Sequence, residues 1–154
     1  MTGAGASTTS VGIAAGSEAR LNFYSGTITG FGIGVQAWNY AIAFVTSICD
    51  PIVIRGNVVS GVYVSDGGIA KIFGLSAADA TASGCTAAVT VDIGSNGKYG
   101  VLVDGGGNAN LQLARITGHT LEGVRVQHGS VVRVRSSTVV TVLTYVLSWA
   151  VRPG

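Results

Sequence analysis

The stretch Ile116-Thr117-Gly118-His119-Thr120-Leu121-Glu122-Gly123-Val124-Arg125-Val126-Gln127-His128-Gly129 carries two short apolar segments, each bounded by glycine. Alternation with a period of two marks a β-strand, whose successive side chains point to opposite faces. The glycines mark the turns between strands. The unit reads as a strand ending in Ile-x-Gly, a tight turn, a Gly-Val-x-Val strand and a glycine turn. It then runs into a third alternation, Val132-Arg133-Val134.

Working outward, the same unit recurs. Gly32-Ile33-Gly34-Val35, Gly61-Val62-Tyr63-Val64 and Gly100-Val101-Leu102-Val103 repeat the glycine-led strand, and Ile28-Thr29-Gly30 and Ile54-Arg55-Gly56 repeat the step before it. A repeat of roughly two dozen residues built this way predicts a β-solenoid, one coil per repeat. Val62/Val64, Val101/Val103 and Val124/Val126 fall on one face and form an inward aliphatic ladder. Tyr63, Leu102 and Arg125 fall on the other and form an outward one. Coils stack at about 4.8 Å. Val103 and Val126 are 23 residues apart but Leu111 and Val132 only 21, which predicts a turn between them that absorbs the difference. The 39 residues from Gly61 to Gly100 predict an insertion, placed at Leu75 to Thr86 as a loop or one helical turn.

The division expected is a loose arm at 1–19, the solenoid at 20–138 and a capping or subunit-contact strand at 139–154. The apolar Val139 to Trp149 run is suited to covering a solenoid end, or to forming one more coil. At 154 residues with 47% hydrophobic and 10% charged residues, the chain has material for one core and is not disordered. A net charge of +2 argues against nucleic acid as partner. No apolar run reaches the roughly 20 residues of a membrane span. Cys49 and Cys85, 36 residues apart, fit neither a disulfide framework nor a metal-ligand spacing and read as buried free thiols. Residues 1–16 lack the pattern of a signal peptide. A virion released by lysis needs none.

The order Ile-x-Gly, short turn, Gly-Val-x-Val, glycine turn, Val-x-Val, clearest over Ala114 to Gly129, resembles the right-handed parallel β-helix repeat of pectate-lyase-like proteins and phage tailspikes. The resemblance covers about residues 20–138. It implies an all-β, right-handed parallel β-helix of about four to five coils. Members of that superfamily are polysaccharide lyases, glycoside hydrolases, or non-catalytic stalks and binding modules. The Asn-Thr-Asp, Asp-Asp and Arg-Ile-Lys motifs of its galacturonan hydrolases are missing here, and Gly118-His119-Thr120 only echoes their histidine motif.

Cleavage of a glycoside needs two carboxyl groups about 5 to 9.5 Å apart. The candidates are Asp66 and Asp104, each following a Gly-Val-x-Val strand, and Glu122, with His119 as an acid or base. The same aspartates are what tight turns beside glycine ask for. For ligand binding the candidates are Tyr63, which can stack on a sugar ring, and Arg125, Arg133 and Arg135, which can hold sulfate, carboxylate or phosphate. No metal site and no cofactor are expected. The expectation is a non-catalytic structural or glycan- and host-surface-binding module, virion-borne or extracellular, working as a homo-oligomer, in particular a homotrimer. The alternative is a small or truncated polysaccharide lyase or glycoside hydrolase.

Overall fold

A computed structural model describes residues 1–3 and 7–140. The chain winds into a parallel β-solenoid whose wall is three five-stranded sheets. Sheet one stacks β1 (Val11–Ala15), β4 (Ile33–Ala37), β7 (Ser60–Val64), β10 (Tyr99–Val103) and β13 (Glu122–Val126). Sheet two stacks β2 (Arg20–Phe23), β5 (Ile42–Thr46), β8 (Ile69–Phe73), β11 (Asn108–Gln112) and β14 (Val131–Arg135). Sheet three stacks β3 (Gly26–Thr29), β6 (Ile52–Arg55), β9 (Val91–Gly94), β12 (Ala114–Thr117) and β15 (Thr138–Val139). Each coil contributes one strand to each sheet, so a residue's neighbours lie one coil away in sequence.

The expected alternation holds. Val62, Val64, Val101 and Val103 are fully buried, and Tyr63, Leu102 and Arg125 pair side by side on the opposite face. Inward residues of the three sheets, such as Val62, Ile72 and Ile93, meet in one continuous core. β-Branched side chains suit these columns because they pack tightly against identical neighbours on a pleated surface.

Three expectations about register need correcting. Val35 pairs with Val62, so the first copy aligns through Gly34 rather than Gly32. Leu111 pairs with Val134, not Val132, because Ala109 is the inward partner of Val132. The turns after β10 and β13 therefore have equal length. The third correction is at the N-terminus, where β1 pairs with β4 and opens the first coil inside the expected arm. Met1 and Gly3 hydrogen-bond to Thr29 along the edge of β3.

The turn from sheet one to sheet two has the same form in every coil. Ser17-Glu18, Asn39-Tyr40, Asp66-Gly67, Gly105-Gly106 and His128-Gly129 all have positive φ at both residues. In each, a backbone N–H three residues on closes the turn, as from Gly68 to the Ser65 carbonyl at 2.8 Å and from Gly107 to Asp104 at 2.9 Å. This is the type I′ pattern, which favours Gly, Asn and Asp.

The insertion falls where expected, between β8 and β9, and contains a short helix α1 (Ala77–Ala82) capped by Ser76, whose Oγ accepts the Asp79 N–H at 3.1 Å. It lies over the β5–β6 loop of the neighbouring coil. That contact brings Cys49 and Cys85 together as a disulfide, with Cα atoms 5.3 Å apart. The expectation of free thiols is thus overturned. Sequence spacing alone does not show that the two loops stack. The expected capping strand lies almost wholly outside the described residues, of which β15 is the last strand.

Candidate functional site

The inside of the solenoid accounts for one candidate. Asn57, Asn96 and His119 hold equivalent positions just after the turns that leave sheet three, in successive coils. Asn57 donates from its backbone N–H and from Nδ2 to Asn96 Oδ1, at 3.1 and 2.9 Å. Asn96 Nδ2 donates to the Ile54 carbonyl at 3.1 Å, and the Asn96 N–H donates to His119 Nδ1 at 3.3 Å. With Nδ1 accepting, the imidazole hydrogen sits on Nε2, 3.1 Å from the Ile93 carbonyl. Burial holds the His119 pKa below the ordinary histidine value. His119, expected as an acid or base, ends a buried polar ladder that pins coil to coil.

The glycine of the Gly-Val-x-Val strand belongs to that ladder. A Cβ on Gly61 would lie 2.6 Å from Ile93 Cγ2 and 2.7 Å from Asn96 Nδ2. On Gly100 it would meet Ile116 Cγ2 at 2.4 Å and His119 Nε2 at 2.6 Å. The glycine faces inward, and the isoleucine of Ile-x-Gly together with the ladder side chain fills the space a larger residue would take.

The outward face of sheet one gathers most of the other candidates. Gln36, Tyr63, Leu102 and Arg125 stand in one column, in register across four coils. At its end Arg125 donates from Nε to Gln127 Oε1 at 3.0 Å and from a terminal nitrogen to the Tyr99 hydroxyl at 3.1 Å. Its guanidinium lies 5.3 Å from the Tyr99 ring centroid and 3.6 Å from a Glu122 carboxylate oxygen. Glu122 is only 5% exposed, and its second oxygen, buried, has no hydrogen-bond partner among the described residues.

Gln127 carries the network on to Asp104, donating from Nε2 at 3.1 Å. Asp104 also accepts the Gly105 N–H at 2.7 Å and contacts His128 Nδ1 at 2.5 Å. Burial pushes the Asp104 carboxyl upward, but the bonds from His128, Gln127 and Gly105 outweigh it and leave the pKa lowered. His128 is exposed, so the pair sits at the surface of the corner.

Asp66 and Asp104 are not equivalents. Asp104 opens its turn, whereas Asp66 is the second residue of its own and stacks on Gly105; a Cβ there would lie 3.2 Å from Asp66 Oδ1. Asp66 Oδ2 accepts the Ser65 hydroxyl at 3.0 Å. Arg133 and Arg135 are separated from Arg125 by the corner: they point outward from sheet two, opposite Asn110 and Gln112. Sequence reasoning missed Asn57, Asn96 and Gln127. For Asn57 and Asn96 the available signal was their recurrence one coil apart, just after the turn that leaves sheet three; Gln127 instead opens its turn, where Asp104 stands one coil earlier. Among the described residues no group of three or more His, Cys, Asp or Glu side chains is placed to hold a metal ion.

No family model, no curated protein and no solved structure matches this chain. The defined class is therefore architectural: a parallel β-solenoid of five coils. No helix among the described residues is long and apolar enough to cross a membrane.

Proposed function

We propose that this chain is a non-catalytic binding module of the pectate-lyase-like or tailspike-like kind, which holds a polysaccharide at a host or cell surface. The observation that carries this reading is the column Gln36–Tyr63–Leu102–Arg125 with Tyr99, Gln127, Asp104 and His128 at its corner. It combines an aromatic ring with hydrogen-bonding groups on a rigid sheet, which is how a sugar chain is gripped without reorganising the protein. The carboxylates are already engaged: Asp104 by three donors, Glu122 by Arg125, Asp92 by Arg115 at 2.7 Å. The Cys49–Cys85 bond supports a virion or extracellular location, since such bonds persist in oxidising surroundings. A homotrimer is part of the proposal.

The alternative, a small polysaccharide lyase or glycoside hydrolase, is favoured by one observation, the His128–Asp104 pair beside Asp66. The test is incubation with neutral and acidic polysaccharides, read by gel retention, reducing-sugar release and unsaturated product. Retention weakened by Tyr63→Ala without product formation supports the binding module. Product formation abolished by Asp104→Asn replaces it with the enzyme. Light scattering on the eluting protein tests the trimer.

A further inference from the structure

The outward face of sheet two, on the far side of the type I′ corner from Tyr63, has a charge pattern of its own. Four of the nine Lys and Arg residues, Arg20, Lys71, Arg133 and Arg135, lie in its strands. None of the seven Asp and Glu residues does. Among the described residues, none of the four cations forms an ion pair.

Register orders these groups along the solenoid axis. One outward column runs Asn22, Phe44, Lys71, Asn110, Arg133. Arg20 reaches Phe44 from the coil below, 4.2 Å from the ring centroid, and Lys71 approaches it from the coil above at 5.0 Å. The ring is a spacer that fixes two cations on either side of it. Asn110 separates Lys71 from Arg133, and its buried carboxamide oxygen has no hydrogen-bond partner among the described residues. From Phe44 onward the column thus reads ring, cation, amide, cation, with Arg20 flanking the ring from the neighbouring register position.

We propose that this face binds an extended acidic polysaccharide that carries its charge on alternate sugars and lies along the solenoid axis. The proposal rests on the reading of the chain as a glycan-binding module and adds a second face to it. Cations recurring every second coil are about 9.6 Å apart, two inter-strand spacings. That is about the length of two pyranose rings end to end. A carboxylate or sulfate on every second ring meets Lys71 and Arg133, and the uncharged ring between them passes over Asn110. The spacing does not suit duplex nucleic acid, each strand of which presents a phosphate about every 3.4 Å of helix axis.

Affinity electrophoresis and calorimetry with four probes test this: hyaluronan, in which a uronate alternates with a neutral sugar; polygalacturonate, charged on every ring; neutral dextran; and duplex DNA. Hyaluronan is expected to bind more tightly than the other three, and less tightly as salt rises. Lys71→Gln and Arg133→Gln should each weaken it about fivefold, the upper range for one exposed ion pair, whereas Arg55→Gln, which removes a cation from sheet three, should leave it unchanged. Both substitutions are on outward positions and leave the inward columns intact. Hyaluronan binding that ignores Lys71 and Arg133 but falls with Tyr63→Ala overturns this face and keeps the binding module on sheet one. Tighter binding of polygalacturonate overturns the alternate spacing, and tighter binding of DNA overturns the ligand class. Binding of no polysaccharide at all overturns both proposals.

Discussion

His119 stands one coil beyond Asn96 at the same place in the turn, and its Nδ1 accepts the Asn96 backbone N–H at 3.3 Å. Asparagine does this job one coil earlier, where Asn96 Oδ1 accepts the Asn57 N–H. Imidazole can replace the carboxamide only while it is neutral, because a protonated Nδ1 has no lone pair to offer.

A pH dependence follows. The unfolded chain titrates His119 near the ordinary value of 6.5, and burial lowers it in the folded chain. The unfolded state therefore takes up the proton first as pH falls. The contribution is complete above 6.5 and is lost as pH drops from there through the lowered folded-state value. Urea midpoints measured from pH 7.5 down to 5 should fall in the native chain. His119→Asn, which restores the ladder chemistry without a titrating ring, should flatten that fall. Parallel curves for the two proteins would show that His119 does not titrate across unfolding.

Asn96 is the most heavily used side chain of the ladder. Asn96→Leu removes the acceptor of two Asn57 donors and the donor to Ile54. An unpaired buried group costs about 1 to 3 kcal/mol, so the substitution should cost roughly 3 kcal/mol or more, read by chemical denaturation. A loss below about 1 kcal/mol would mean that water replaces the side chain.

The inward valine columns were legible in the sequence because few folds besides stacked coils place alternating strands at a fixed repeat length. Errors arose where two choices look alike in one dimension. Gly32 and Gly34 flank the same isoleucine, and only pairing with Gly61 chooses between them. In Gly12-Ile13-Ala14-Ala15 the inward role of valine falls to alanine at Ala15, so β1 read as part of an arm. Asn57 and Asn96 looked like ordinary turn residues, since asparagine favours turns whether or not it points inward. The His128–Asp104 contact spans 24 positions and exists only because of coil stacking. For the same reason Arg125 and Arg133, close in sequence, lie on different faces.

The disulfide joins residues 36 apart. On the loop-entropy view it contributes about 3 to 4 kcal/mol by restricting the unfolded chain. Thiol titration of the denatured, unreduced protein should find no free thiol, and two after reduction. Cys49→Ser with Cys85→Ser should lower the melting temperature and leave the strand signal in circular dichroism unchanged at room temperature. Two free thiols before reduction would remove the bond from the description.

Two glycines in the first and last strands of the chain's third coil separate the two reasons glycine is used here. Gly61 faces inward, where a Cβ would lie 2.6 Å from Ile93 Cγ2, 2.7 Å from Asn96 Nδ2 and 2.9 Å from the Gly100 carbonyl oxygen. All three belong to the packed core, its ladder or the next strand's backbone, so none can give way cheaply. Gly61→Ala should therefore cost about 1 to 3 kcal/mol, the range for overpacking a core. Gly94, at the end of β9, has an ordinary strand backbone, and a Cβ there would find its nearest atom at 3.6 Å. Gly94→Ala should be neutral, or stabilising by about 0.5 kcal/mol through a less flexible unfolded chain. Denaturation midpoints of the two variants should shift in opposite directions or by clearly different amounts. Equal shifts would mean that the recurring glycine serves only chain flexibility. The expected asymmetry assigns it instead to the meeting of isoleucine, ladder and neighbouring strand inside each coil.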